Sequence, residues 1–279
     1  MQADTAELVA FGPEHIEGAL RLSRQANWGH RREDWEMSLA LSEGYVALAE
    51  GSRVVGTALV TKYKSDAATI NMVIVDQGQR GRGLGRKLMD AALALVGEIP
   101  LRLVATLEGL PLYEKMGFRE VGAVVQYQGA ARFAAPPDEV LPARPEDFAA
   151  IAALDREAFG ADRGALIARL RDFGDFVVLR RPDGIAGFAA LRRFGLGAVI
   201  GPVVAAHLGD AEALVAYFIA AQADAFLRVD ADAKTGLGPW LSQHGLLDVG
   251  RGVDMQRPII AARAARTAST FALASQALG

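Results

Sequence analysis

The sequence predicts an α/β protein of two tandem units, each a mixed, mostly antiparallel sheet flanked by helices. Three matched pairs of segments within its 279 residues predict it. "PEHIEGALRLSRQANWGHRR" (Pro13–Arg32) and "PEDFAAIAALDREAFGADR" (Pro145–Arg163) both open with Pro-Glu, continue as an amphipathic helix and end in aromatic-Gly-x-x-Arg. "RVVGTALV" (Arg53–Val60) and "GIAGFAAL" (Gly184–Leu191) are apolar runs of strand length centred on Gly56 and Gly187. "PLYEKMGFREVG" (Pro111–Gly122) faces "PWLSQHGLLDVG" (Pro239–Gly250). Three matches in one order, at nearly constant separation, indicate an internal duplication.

In the first unit the patterns place helices at about 13–26 and 33–42, then strands at about 44–50, 53–63 and 68–76. Glu50-Gly51-Ser52 and Ser65-Asp66 supply the hairpin turns. A helix follows at about 83–97, a strand at 100–106, a short helix at 109–116 and a strand at 119–128. Strands at the front, with a helix crossing between later ones, make a mixed α/β sheet. The second unit repeats this order. Pro136-Pro137 interrupts regular structure between them, which divides the chain into residues 1–133 and 138–279. The Ala-rich tail from Ala261 reads equally as a docked helix or a frayed end.

Composition narrows the functional classes. A net charge of −3 and a pI near 5.9 argue against nonspecific binding to nucleic acid or to an acidic membrane. The absence of cysteine removes disulfides, thiolate metal sites and cysteine nucleophiles together. His15, His207 and His244 stand apart with no metal-ligand spacing, so no metal site is expected. The start lacks a basic region followed by an apolar stretch, and no apolar run reaches the ~18 residues of a spanning helix. A soluble cytoplasmic protein is expected.

The most specific segment is "QRGRGLGRKLMDAALAL", Gln79–Leu95, between the strand "TINMVIVD" and a helix. A helix N-terminus presents unpaired N–H groups and partial positive charge, which suit phosphate. Arg80, Arg82 and Arg86 add charge, and glycine lets backbone approach a ligand. The loop is neither G-x-x-x-x-G-K-[ST] nor G-x-G-x-x-G, since position 86 is arginine. It is Arg-x-x-Gly-x-Gly, as Arg80, Gly83 and Gly85. Here the chain resembles the Gcn5-related N-acetyltransferase (GNAT) superfamily, whose pyrophosphate loop reads Gln/Arg-x-x-Gly-x-Gly/Ala between fourth strand and third helix. "PLYEKMGF" (Pro111–Phe118) resembles that family's late "LYEKLGF" element at the expected distance. The resemblance covers about residues 5–130, and the repeat extends it to a tandem protein.

The resemblance implies a fold, a co-substrate and roles. Acetyl-coenzyme A is expected on the loop Arg80, Gly81, Arg82, Gly83, Leu84, Gly85 and Arg86, its pantetheine arm beside the backbone of Val73, Ile74 and Val75. Tyr113 matches the family tyrosine that protonates the departing thiolate, whereas Thr106 replaces a frequent asparagine. The acceptor is expected to be a primary amine of a small molecule or peptide. A lysine-like amine of pKa ~10.4 costs about 4.6 kcal/mol to deprotonate at pH 7; no residue is assigned as its base. Trp28, Glu33, Asp34 and Trp35 fall where the family builds its acceptor pocket. The second unit offers "GPVVAAHLGDAEAL" in place of the loop and Leu241 in place of Tyr113. It is expected to keep the fold without the coenzyme, its Gly201-Pro202 pair kinking a strand. An acyl-coenzyme A sensor without turnover is the alternative function. Monomer and homodimer both remain open.

Overall fold

In the computed structural model, which describes residues 6–49, 52–132, 134–135, 137–222, 224–259 and 266–279, the strands join into one thirteen-stranded, mostly antiparallel sheet. The first half runs β1 (Glu7–Ala10), α1 (Ile16–Gln25), α2 (Arg32–Ala40), β2 (Glu43–Ala49), β3 (Arg53–Tyr63), β4 (Ala67–Val75), α3 (Leu84–Val96), β5 (Leu101–Ala105), α4 (Leu110–Lys115) and β6 (Arg119–Ala130). The second repeats it as β7 (Val140–Pro142), α5 (Phe148–Phe159), α6 (Gly164–Phe173), β8 (Gly174–Arg181), β9 (Gly184–Phe194), β10 (Gly197–Ala205), α7 (Leu208–Ala221), β11 (Phe226–Asp232), α8 (Leu237–Gln243) and β12 (Leu247–Arg257). The short edge strands β1 and β7 lacked a readable alternation. Glu50, Gly51, Phe133 and Pro136, on which a turn and the unit boundary were placed, lie outside the described residues.

The helices form where apolar residues recur at helical spacing. In α3, Leu84, Leu88, Met89, Ala92 and Val96 are buried along one face against the sheet. Gly56 and Gly187, the glycines that marked the repeat, do equivalent jobs. A Cβ on Gly56 would stand 2.7 Å from Leu88 Cδ1, and one on Gly187 would stand 3.2 Å from Leu214 Cδ1 of α7. Each lets the crossing helix seat directly on its sheet.

The halves exchange their last strands. With β13 (Ser269–Ala272), the sheet order is β1-β2-β3-β4-β5-β12-β6-β11-β13-β10-β9-β8-β7. Thus β5 pairs with β12 of the second half, as at Ala105 and Val253, while β11 pairs with β6 of the first, as at Ala231 and Val125. Each half therefore needs the other's chain to complete its hydrogen-bond ladder.

One exchanged residue gives the stability a pH dependence. Burial pushes the Asp254 carboxyl on β12 from 3.8 up to about 6, with Arg102 opposing and Asp232 adding to the rise. Between those values the native chain holds a proton that the unfolded chain has lost. Stability from this group is therefore complete below about pH 4 and is lost as pH rises through 6. Asp254→Asn should match the parent in urea melts at pH 4 and exceed it at pH 7.5. Equal midpoints at both pH values would refute this.

The tail is neither helix nor frayed end where it is described, which corrects the sequence expectation; residues 261–265 lie outside the description. Ser269–Ala272 form β13, wedged between β10 and β11. Those two strands pair only at Ala198–Leu227 and Val199–Arg228 before diverging, and β13 fills the gap with buried Phe271 and Ala272. Gly201 permits this: a Cβ there would lie 1.9 Å from the Leu273 carbonyl oxygen. Beside it β10 shifts register between Ile200 and Val203, the interruption expected at Gly201-Pro202.

Candidate active site

The first half keeps the corresponding gap open. Strands β4 and β5 pair only at Ala68–Leu101 and Thr69–Arg102. Beyond them β4 bulges against β3, with Met72 at φ 50° and its carbonyl accepting from Thr57 Oγ1 at 2.6 Å. From Asn71 onward β4 has no strand partner on its β5 edge among the described residues. Val73 lines a cavity there, Ile74 is buried in the core under α1, and Val75 packs partly on the α3 side.

The glycine loop stands at the head of this gap. Buried Asp76 anchors it, accepting from Gly78 N at 3.0 Å. Gly81 and Gly83 adopt φ of 75° and 83°, and nothing lies within 4 Å of a Cβ on either. Left-handed backbone, not crowding, demands glycine there. The turn delivers the chain into α3 at Leu84, so the first N–H groups of that helix lack intrahelical acceptors. The Leu84 side chain is buried, leaving only its backbone to a ligand; Gly85 lies close to Leu112 and Val75. Arg80 pairs with Glu108 at 3.0 Å across the mouth of the gap, Arg82 donates to Gln79, and Arg86 pairs with Asp90 at 3.3 Å.

Tyr113, on α4, packs edge-on against Phe118 and is 8% exposed. Burial pushes its phenol up to about 12. It lines a cavity of about 510 Å³ together with Val73, Thr106 and Asn71. A wider hollow of about 790 Å³ near Phe11, Glu36 and Tyr45 includes neither Tyr113 nor any residue of β4 or β5, so the smaller one is the candidate site.

Both halves build that cavity. Trp28, His30 and Asp34 come from the first; Arg192, Phe194, Arg228 and the segment Ser275–Leu278 come from the second. Asp34 caps α2 by accepting from Arg31 N at 2.9 Å, and it accepts from Gly195 N of the β9–β10 turn at 3.0 Å. Its oxygens also face Arg31 at 3.0 Å and Arg192 at 3.7 Å, so it fastens the halves together. Trp35 and Glu33 do not line the cavity, which corrects their expected place. Trp35 is fully buried and donates to Ser23 Oγ at 3.0 Å, while Glu33 is exposed on α2 beside Arg31.

Ser23 Oγ accepts from the Trp35 N–H and shares a hydrogen bond with His30 Nδ1 at 3.2 Å. Burial first, then Arg228 and Arg192 against the opposing Asp34, lower the pKa of His30 to about 4. At neutral pH it is uncharged. Among the described residues no group of three His, Cys, Asp or Glu is placed to hold a metal, and no helix is long and apolar enough to cross a membrane.

Two family models, each described as an acetyltransferase (GNAT) domain, match residues 41–120 and 151–267. The chain is a tandem GNAT protein. It is 34% identical over 171 residues to the uncharacterized N-acetyltransferase YitH of Bacillus subtilis (strain 168), a match spanning 59% of this chain and 60% of that relative. The fold is similar to that of a candidate acetyltransferase from Pyrococcus horikoshii, with TM-score 0.83, 19% identity, and coverage of 100% of this chain and 98% of that one. It is also similar to a tandem GNAT protein from the clavulanic acid biosynthesis pathway, with TM-score 0.60, 17% identity, and coverage of 90% and 98%.

GNAT proteins use acyl-coenzyme A, and the first half of this tandem GNAT fits such a group: a left-handed glycine turn opens onto a strand gap with unpaired backbone. In the second GNAT half, only Ala206 and His207 separate β10 from α7, β13 fills the gap, and Leu241 is fully buried where Tyr113 stands in the first. Sequence reasoning missed Arg192, Phe194, Arg228 and Ser275–Leu278, because no local pattern reports which half a side chain will face. Gln126 and Gln128, alternate residues of β6 that also line the cavity, had a readable signal: two amides on one face of a strand.

Proposed function

We propose that this tandem GNAT protein transfers an acetyl group from acetyl-coenzyme A to a primary amine of a small molecule or peptide, by direct attack with both bound. The observation that carries this reading is the open β4–β5 gap, headed by left-handed Gly81 and Gly83 and floored by Tyr113. The coenzyme supplies an acyl thioester. The loop N–H groups and Arg80 hold its diphosphate, and the backbone of Val73–Val75 aligns its arm as an added strand. Tyr113 donates a hydrogen bond toward the departing sulfur. Asp34 is committed to its clamp between the halves, and no residue is assigned as the amine's base.

The second half binds no coenzyme in this reading, because its gap holds β13. Calorimetry should give one acetyl-coenzyme A per chain, and Arg80→Glu should raise Kd at least ~10-fold, about 1.4 kcal/mol. Two equivalents per chain, or an unaffected variant, would overturn the assignment. Release of free thiol on screening purified protein with amines tests turnover itself; tight binding with no release from any amine would favour the sensor reading.

A further inference from the structure

We infer that the acceptor is a small amine that also carries an anionic group, a carboxylate or a phosphate. This rests on the acetyltransferase reading and concerns the same cavity. Two buried polar atoms on its walls have no hydrogen-bond partner among the described residues, and their chemistry is opposite. Asn71, beside the β4 bulge, donates through Nδ2 to Thr61 Oγ1 at 2.9 Å and leaves Oδ1 as an unfilled acceptor. An amine N–H fits that oxygen, next to the gap where the thioester belongs. Arg192, on the second-half wall, leaves Nε as an unfilled donor. Its remaining contacts are loose: Ala274 O at 3.4 Å, Arg193 O at 3.5 Å and Asp34 at 3.7 Å.

The charges agree with that polarity. Among the described residues, Arg24, Arg192 and Arg228 line the cavity against one carboxylate, Asp34. Asp34 is shared with Arg31, and Asp230 behind the wall neutralises Arg228. Both Arg192 and Arg228 lie against the Phe194 ring, at 4.7 and 5.1 Å from its centre. Neither His30, held neutral, nor the amides of Gln126, Gln128 and Gln276 offset this positive excess. A buried guanidinium with an open donor is costly unless an anion completes it. A polyamine would meet repulsion here, whereas an amino acid or a phosphorylated amine carries a group of matching polarity for each orphan atom. The cavity's size, about 510 Å³, suits a ligand of that scale.

The test pairs acceptors that differ only in the acidic group, using the full chain and acetyl-coenzyme A with a free-thiol readout. Leucine is set against isopentylamine and tyrosine against tyramine; phosphoethanolamine against ethanolamine and glucosamine 6-phosphate against glucosamine form the phosphate arm. At least one acid should exceed its partner by ~30-fold or more in kcat/KM, and the arm in which it falls names the group. Arg192→Gln should collapse that ratio mainly through KM. Arg228→Gln, at a less buried wall position, should do so too and guards against misfolding of the first variant. Ratios at or below one in every pair, or ratios unchanged in both variants, would overturn the inference while leaving acetyl transfer intact. If no amine releases thiol, calorimetric titration of the same compounds decides. Binding of an acid that is lost in Arg192→Gln upholds the anion site, and no acid binding removes it; coenzyme titration judges the broader reading separately.

Discussion

Tyr113→Phe is expected to lower kcat by about 10²- to 10³-fold while coenzyme affinity stays within about twofold. The hydroxyl is all that the substitution removes, since the ring packing on Phe118 is kept. Burial holds the phenol near 12, against ~8.5 for a thiol, a gap worth about 4.8 kcal/mol. The phenol therefore stabilises the developing thiolate by donating a hydrogen bond, and full proton transfer waits until the amine's own proton is released. Because the phenol stays protonated, kcat/KM should climb with pH as the amine deprotonates, with no descending limb from this group below about pH 11. Steady-state kinetics of parent and variant from pH 6 to 10 measure both effects. A variant kcat within threefold of the parent would remove Tyr113 from the chemistry.

The second large effect is structural. Asp155→Ala should destabilise the chain by about 3–5 kcal/mol, a fall in Tm of roughly 6–20 °C. Asp155 and Arg163 are both essentially unexposed and share two bonds, at 3.0 and 2.6 Å. Arg163 also donates to the carbonyls of Leu278 and Gly279 and lies 4.0 Å over the Phe159 ring. Removing the carboxylate strands a buried cation and loosens the anchor of the tail. Ser275–Leu278 line the cavity, so acceptor KM should rise with the loss of stability. The double variant Asp155→Leu/Arg163→Met should recover much of the lost stability, because no charge is then left unpaired. A loss below 1 kcal/mol for Asp155→Ala in urea melts would contradict this account.

Much of the fold was legible because its signals are local. Helical spacing in α3, apolar runs around Gly56 and Gly187, and the repeated Pro-Glu openings place the long elements within a few residues of where they stand. The glycine loop was legible for the same reason, since left-handed turns at Gly81 and Gly83 are written into residue type. The acceptor cavity was not. Trp28 and Asp34 line it, but the sequence also offered Trp35 and Glu33, which differ from them only in the face of α2 or its preceding loop that they occupy. The wall opposite them comes from Arg192, Phe194 and Arg228, more than a hundred and fifty positions along the chain.

The sequence by itself determined a duplicated α/β chain with one glycine-rich turn suited to a diphosphate. These follow from periodicity and backbone permissiveness, which act over a few residues. Only the tertiary structure decided that the halves trade their sixth strands and that the tail enters one strand gap while the other stays open. Strand partners are chosen by which free edges can satisfy each other's hydrogen bonds and bury each other's side chains, and that choice exists only once the whole sheet has assembled.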